Sequence, residues 1–167
     1  MNSMISIVIF ALTTLSGGAI GAYFSGKLTE RYDILNACVS LIQNMITYVN
    51  YSGYKLSEIF NAEKNNSRLY ISDELIAISE DGRSIEEEWN VCITKSGYLK
   101  TEDRQILSEL GKSIGKSNSG GEIAVLELAK ERLNVQLKTA VEEKKRKGRL
   151  YCTLGIMLGA AVGIMLI

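Results

Sequence analysis

The amino-acid sequence of 167 residues contains no histidine and no proline. Without an imidazole side chain, the chain cannot form a Ser-His-Asp or Cys-His nucleophile system, or a zinc site with histidine ligands. Because proline breaks helices, its absence is typical of a chain that is helical throughout. We therefore expect an all-α protein that uses no histidine chemistry.

Cysteine is also scarce. The three cysteines are far apart and form no CxxC pair, and an odd number does not suit a disulfide framework. Free cysteine is among the most buried residue types, so we expect small buried or lipid-facing side chains in a reducing compartment. The three are Cys38, Cys92 and Cys152.

Charge is absent from both ends of the chain. All 38 charged side chains lie between Lys27 and Arg149, although the formal net charge is zero. Two uncharged ends on a charged middle indicate membrane segments rather than a multidomain soluble enzyme. The middle is long enough for one modest domain with its own core. We predict a membrane helix over residues 1–26, a helical cytoplasmic region over 27–149 and a second membrane helix over 150–167.

The lengths of the two apolar runs suit a bilayer. Residues 4–26 provide about 23 uncharged positions, which as a helix cover a hydrocarbon core of about 30 Å. A cleaved signal peptide is the alternative for this run, but no basic residue precedes it. Residues 150–167 form a shorter run whose helix just spans such a core.

Five basic residues stand immediately before the second run. Positively charged residues flank membrane helices on the cytoplasmic side, so the central region is predicted to be cytoplasmic, with both termini on the other face. The residues that carry this topology signal are Lys144, Lys145, Arg146, Lys147 and Arg149.

Both runs carry glycine at four-residue spacing, which allows helix backbones to approach closely in lipid. We predict that these glycines pack membrane helices together, against either the other span or another protein. They are Gly17, Gly21, Gly155, Gly159 and Gly163.

Apolar residues recur at helical spacing in the middle region, which predicts a compact domain of six helices. The start of one helix is assigned to a capping box of Ser84 and Glu87, and that of the next to Thr101 as N-cap. The last helix begins near Glu122 and is predicted to run continuously into the C-terminal span. The other five cover about 27–50, 55–64, 69–80, 84–94 and 101–114.

The domain contains a short repeat, G-x-x-[LI]-x-E-x-[FW]-N, at residues 53–61 and 82–90. In each copy an aliphatic residue and an aromatic residue four positions later share one helix face, so both are expected in the core. These core anchors are Leu56, Phe60, Ile85 and Trp89. The Glu residues of the repeat and the acidic run are the expected partner-docking residues, namely Glu58, Glu86, Glu87 and Glu88.

No motif in the chain supports catalysis. The segment 111–117 contains a Gly-Lys-Ser sequence, but it lacks the upstream glycine and the preceding strand of a phosphate-binding loop. Consecutive glutamates on a helix point in different directions, so residues 86–88 are read as a solvated face or a docking patch rather than a metal site. We expect no enzyme activity, cofactor, metal, nucleic acid or small-molecule substrate.

The chain resembles the stage III sporulation protein AB family of endospore-forming bacteria over nearly its whole length. The resemblance rests on the two terminal spans and on the repeat units at 53–60 and 82–89, the second with its tryptophan. Further matches are the stretches 99–103 and 110–117 and the end of the chain, where Tyr151, Leu154, Gly155 and Gly159 run into aliphatic residues. One departure is Asn118, since this segment usually carries an acidic residue.

The resemblance implies the six-helix fold of the cytoplasmic F-domain in type II secretion and type IV pilus platform proteins. It also implies a membrane platform on the mother-cell side of the outer forespore membrane, within a channel complex to the forespore. The implied partners are a secretion-type ATPase, stage III sporulation protein AA, together with other membrane components of the complex and the bilayer. Two alternatives stay open: a tethered oligomeric adaptor of another envelope system, acting through its long helix and glycine-bearing span, and a membrane enzyme.

Overall fold

The computed structural model describes residues 2–51, 56–65, 68–81, 84–114 and 119–166. Over these residues the chain is all-α, as predicted, and its last helix continues without a break from the domain into the C-terminal apolar run. The helices are α1 Asn2–Tyr51, α2 Leu56–Glu63, α3 Asp73–Glu80, α4 Glu86–Lys95, α5 Thr101–Ser113 and α6 Ser119–Met165.

The first helix is longer than the sequence pattern suggested, because the N-terminal run and the predicted helix 27–50 form the single helix α1. The start of α3 was also placed wrongly. It begins at Asp73 rather than near residue 69, because the hydroxyl oxygen of Ser72 accepts a hydrogen bond from the backbone N–H of Leu75 (3.1 Å) and caps the first turn there. Leu69 and Ile71 are buried in the segment that leads into it.

The two helix caps predicted from the sequence, at Ser84 and Thr101, also differ from those in the structure. Ile85 occupies the N-cap position of α4 without a side-chain cap, so the capping box of Ser84 and Glu87 is wrong. The buried Ile85 side chain fixes the entry into α4 instead. Helix α5 has Lys100, not Thr101, as N-cap, because the Asp103 carboxylate accepts a hydrogen bond from the Lys100 N–H (2.9 Å).

The chain divides into two units. The first, which we call the membrane unit, is Met1–Glu30 with Thr139–Ile167, and the second, the central unit, is Arg31–Lys138. The repeat glycines Gly53 and Gly82, and residues 115–118 of the Gly-Lys-Ser segment, lie outside the described residues.

In the membrane unit, α1 and α6 pack closely through their glycines. A methyl group added at Gly17 would collide with the Gly155 carbonyl oxygen and lie 2.9 Å from the Gly159 Cα. One added at Gly21 would lie 3.0 Å from the Cα of Cys152. The two glycine motifs therefore pack against each other within one chain.

The pairing of the two helices is antiparallel. Phe10 meets Gly163, Thr14 meets Gly159 and Ser25 meets Gly148, so rising residue numbers on α1 face falling numbers on α6. The small residues that make this contact recur at about every fourth position on both helices. Residues at this spacing lie along one face of a helix.

Two helices are long and apolar enough to cross a membrane, and these candidate spans lie within Met4–Asn50 and Gly121–Met165. Large apolar side chains of both runs are exposed, among them Leu15 at 70% and Met157 at 64%. Such exposure suits contact with lipid rather than with water.

Aromatic side chains lie at the charged end of both apolar runs. The Phe24 ring centroid is 5.8 Å from that of Tyr23 and 5.9 Å from that of Tyr151. The Lys27 Nζ lies 4.6 Å from the Tyr23 ring centroid, a cation–π distance. Aromatic residues are enriched at membrane–water boundaries, so this level of α1 and α6 suits the end of the two candidate spans.

The central unit is held together by a buried ion pair between Arg31 on α1 and Asp103 on α5. The guanidinium donates twice to the carboxylate, at 2.8 and 2.9 Å, and once to the side-chain oxygen of Gln136 on α6 (3.2 Å). Asp103 is completely buried and Arg31 is 3% exposed. The Arg31 guanidinium thus joins α1 to α5 and α6, and the Asp103 carboxylate also caps the start of α5.

The ion pair affects a neighbouring cysteine. Cys38 is buried, and this burial, with a smaller contribution from the Asp103 charge, raises its pKa to about 12. The reactive form of cysteine is the thiolate, so the Cys38 thiol is chemically inert at neutral pH.

We predict that Gly17→Ala lowers the thermal stability of the full-length protein in detergent, because its methyl group has no space between the two backbones. Overpacking of this kind costs about 1–3 kcal/mol. Gly18→Ala and Gly26→Ala are matched controls, since their methyl groups meet ordinary contact or open space. If all three variants melt alike, the close packing of the spans is refuted.

We predict that Asp103→Asn destabilises the central unit by about 3–5 kcal/mol, because the substitution leaves the Arg31 charge buried without its counter-ion. Denaturation followed by circular dichroism measures the loss. The double variant Arg31→Met with Asp103→Leu should recover much of it, since no charge is then buried. Equal stability of Asp103→Asn and the wild type would contradict the assignment.

Candidate docking surface

The two repeat helices meet through their aromatic residues. The ring centroids of Phe60 on α2 and Trp89 on α4 are 5.9 Å apart, and both side chains are almost completely buried. Ile85 is buried too, at 3% exposure, whereas Leu56 at the first position of α2 is only half-buried. The contact between Phe60 and Trp89 fixes the positions of α2 and α4 relative to each other.

Helix α4 is also fixed to α5 by Trp89. The indole Nε1 donates a hydrogen bond of 2.7 Å to the backbone carbonyl of Leu107. A methyl group added at Gly111 would overlap the indole ring, lying 2.9 Å from its Cγ. Glycine in the middle of a helix costs about 1 kcal/mol, and here it provides the space that the indole occupies.

Glu58 and Glu87 lie on the outside of this framework. Each stands two residues before its aromatic partner, which places it about 200° round the helix, on the opposite side. Both side chains are exposed, and neither has a hydrogen bond or ion pair with any other described residue. These two carboxylates are presented to solvent by helices whose other faces are fixed in the core.

The other two glutamates of the predicted docking set have different surroundings. Glu88 accepts a hydrogen bond (2.6 Å) from the Ser72 hydroxyl, which also caps α3. The Cys92 thiol lies 3.5 Å from the Ser72 hydroxyl oxygen. Glu88 therefore joins α4 to the start of α3. Glu86 is half-buried.

The neighbouring surface of α4 mixes charge with apolar area. Glu87, Val91 and Lys95 follow at four-residue spacing on one helix face, and the Lys95 Nζ lies 5.1 Å from the ring centroid of Tyr70. Val91 and Tyr70 are 40% and 43% exposed. We call Glu87, Val91, Lys95 and Tyr70 the α4 surface, whereas Glu58 lies on α2.

The sequence that leads into α4 is rich in acidic residues. Between Asp73 and Glu88 the sequence has seven acidic residues and one basic residue, Arg83. Exposed tyrosine and aliphatic side chains beside unpaired charge are typical of protein interfaces. Within the described residues no three metal-ligating side chains come together. The arrangement can bind a basic protein surface, and nothing in it supplies a nucleophile with a base.

Sequence reasoning missed the residues that hold this surface in place. Arg31 and Asp103 are 72 positions apart, and no local pattern connects them. Gly111 did carry a signal, since a glycine inside a helical pattern often marks a close approach. The pattern does not reveal that Trp89 is the approaching group.

An all-α chain with two candidate membrane helices and an intervening helical domain fits a membrane protein with a central domain. The chain belongs to the stage III sporulation protein AB family, whose family model matches residues 6–167. This confirms the resemblance and makes the protein a stage III sporulation protein. No curated protein and no solved structure matches the chain.

We predict that Gly111→Ala destabilises the central unit, because the added methyl group displaces the only tryptophan of the chain. The cost is expected at about 1–3 kcal/mol. Denaturation monitored by tryptophan fluorescence measures it, with Lys112→Ala at the adjacent exposed position as control. Unchanged fluorescence and stability in Gly111→Ala would rule out the tight contact.

Proposed function

We propose that the protein is a non-enzymatic membrane platform in the channel complex between mother cell and forespore. Its two spans hold the helical domain at the bilayer, and the domain docks a secretion-type ATPase, stage III sporulation protein AA. The observation that carries the proposal is the pair Glu58 and Glu87, two exposed carboxylates without partners among the described residues, on helices fixed by the contact between Phe60 and Trp89.

The sidedness in this proposal rests on charge. Lys144, Lys145, Arg146, Lys147 and Arg149 precede the second span, and the positive-inside rule puts such residues in the cytoplasm. With two spans, the central unit then lies in the mother-cell cytoplasm, where an ATPase has its nucleotide. Both termini lie on the opposite face.

The partner chemistry follows from the α4 surface. The carboxylates of Glu87 and, on α2, of Glu58 favour a basic surface on the ATPase and speed the encounter, while Val91 and Tyr70 supply apolar area. Because the interacting helices are fixed by buried contacts, docking requires little reordering of the platform.

We predict that Glu58→Lys with Glu87→Lys weakens binding to the ATPase at least about tenfold, as expected for reversal of two interface charges. Calorimetric titration of the full-length protein with stage III sporulation protein AA, with and without nucleotide, measures the affinity. The matched control is Glu127→Lys with Glu131→Lys, which reverses two exposed charges on α6.

The comparison of these two variants decides the assignment. The assignment is supported if only Glu58→Lys with Glu87→Lys loses affinity for the ATPase and its circular dichroism spectrum is unchanged. An equal loss of affinity in both variants would show that the effect comes from overall charge. Unchanged affinity in both removes Glu58 and Glu87 from the interface.

A second candidate function is that of a membrane-tethered oligomeric adaptor acting through α6. Leu128 and Val135 lie seven residues apart on one face of this helix, and each is 57% exposed. The glycines cannot serve the same purpose, because they already pack the two spans of one chain together. Light scattering of the full-length protein in detergent distinguishes the two functions, since only the adaptor requires a stable oligomer.

A further inference from the structure

The formally neutral chain has an uneven distribution of charge. The membrane unit contains six basic and three acidic residues, and the central unit therefore carries the compensating negative excess. The positive charge is concentrated in one segment of α6, residues 144–149, directly before the apolar run. A cationic segment at this level stands where the phosphate groups of a bilayer lie.

Several of these cations have no partner among the residues that the structure describes. Lys147 is paired with Glu143 four residues earlier (2.9 Å). Lys145, Arg146 and Arg149 are exposed, and none has a hydrogen bond or ion pair with another described residue. A topology signal requires only that such residues are present, and it leaves their charge available to a ligand.

Two of the unpartnered cations line a crevice. Its volume is about 550 Å³, and its walls include Lys145, Arg146, Thr139, Glu142 and Glu143. This volume lies within the range of about 300–1,000 Å³ that small-molecule sites occupy. The Glu143 carboxylate is already engaged by Lys147, so Glu142 is the acidic group that opposes the two cations.

The surface next to the crevice is apolar in the direction of the membrane. Leu150, Leu154 and Leu158 follow Arg146 at four-residue spacing and form a row that turns about 40° round α6 at each step. Their side chains are 51%, 45% and 65% exposed. The helix thus presents a cation followed by a row of exposed leucines, which matches a molecule with an anionic head and long hydrocarbon chains.

The position of the interface agrees with this arrangement. Tyr151 contacts Phe24 at the level where aromatic residues mark the membrane boundary. Arg146 lies on the charged side of that level, about one turn beyond Leu150. The antiparallel pairing of Ser25 with Gly148 places Lys27 at the same height on α1.

We propose that the crevice formed by Lys145, Arg146, Thr139, Glu142 and Glu143 binds the phosphate headgroup of an anionic phospholipid, with its acyl chains along Leu150, Leu154 and Leu158. Lys145 and Arg146 neutralise the phosphate, and the leucine row distinguishes a lipid from free phosphate. The site makes the protein selective for membrane regions rich in anionic lipid, independently of any ATPase.

The test uses the full-length protein in nanodiscs of phosphatidylcholine with increasing phosphatidylglycerol, followed by native mass spectrometry of retained lipid. The wild type should retain phosphatidylglycerol in preference to phosphatidylcholine. Lys145→Gln with Arg146→Gln should reduce this preference at least about tenfold, since each basic residue near an anionic surface contributes roughly 1 kcal/mol. Lys112→Gln with Lys138→Gln, which removes two exposed cations from the central unit, should leave it unchanged.

Three results would overturn the proposal. The first is a wild type without lipid preference, and the second is an equal loss in the control variant, which would show a general charge effect. The third is displacement of the retained lipid by inorganic phosphate at equal concentration, because the site would then recognise the phosphate alone. Circular dichroism of each variant confirms that the helical content is unchanged.

Discussion

The central unit depends on one buried ion pair. Arg31 and Asp103 are both withdrawn from water, and such a pair is stable only when its remaining hydrogen-bonding groups are also satisfied. Gln136 and the Lys100 backbone N–H meet this requirement. Because these four residues lie on α1, on α6 and at the start of α5, the network joins the two long helices to α5.

The same helices carry the membrane unit, where the physical constraint is different. Hydrophobic residues provide no net driving force between helices surrounded by lipid, so close backbone contact has to supply it. Glycine at every fourth position on both helices allows that contact, and any side chain there would collide with the opposite backbone. A fully hydrogen-bonded ion pair thus organises the central unit, and close contact between helix backbones organises the membrane unit.

Much of the architecture could be predicted from the sequence because it depends on local patterns. The absence of proline, the apolar periodicity and the uncharged ends are enough to predict the helices and both candidate spans. Helix starts were less predictable. Ser84 does not cap α4, where the buried Ile85 is the N-cap. Thr101 does not cap α5, because the Asp103 carboxylate binds the backbone of Lys100. The burial of Ile85 leaves no signal in a short sequence window, whereas Asp103 lies only three residues from Lys100 and also binds the distant Arg31.

The candidate site shows the same limit. Three consecutive glutamates begin α4, but their surroundings differ. The Glu88 carboxylate accepts a hydrogen bond from Ser72, whereas Glu87 has no partner among the described residues. The difference comes from the rotation of α4, which is set by Trp89 against Leu107 and Gly111. The sequence therefore predicted an acidic patch on α4, and only the packing of the helix shows which carboxylate is available.

The central claim is that the α4 surface contacts a secretion-type ATPase in the sporulating cell. Site-specific photo-crosslinking tests it most directly, with the reactive amino acid placed at Glu87 on α4 or at Glu131 on α6. We expect the ATPase to be captured from position 87 and not from position 131. Capture from position 131 alone, or capture of no ATPase from either position, would contradict the account.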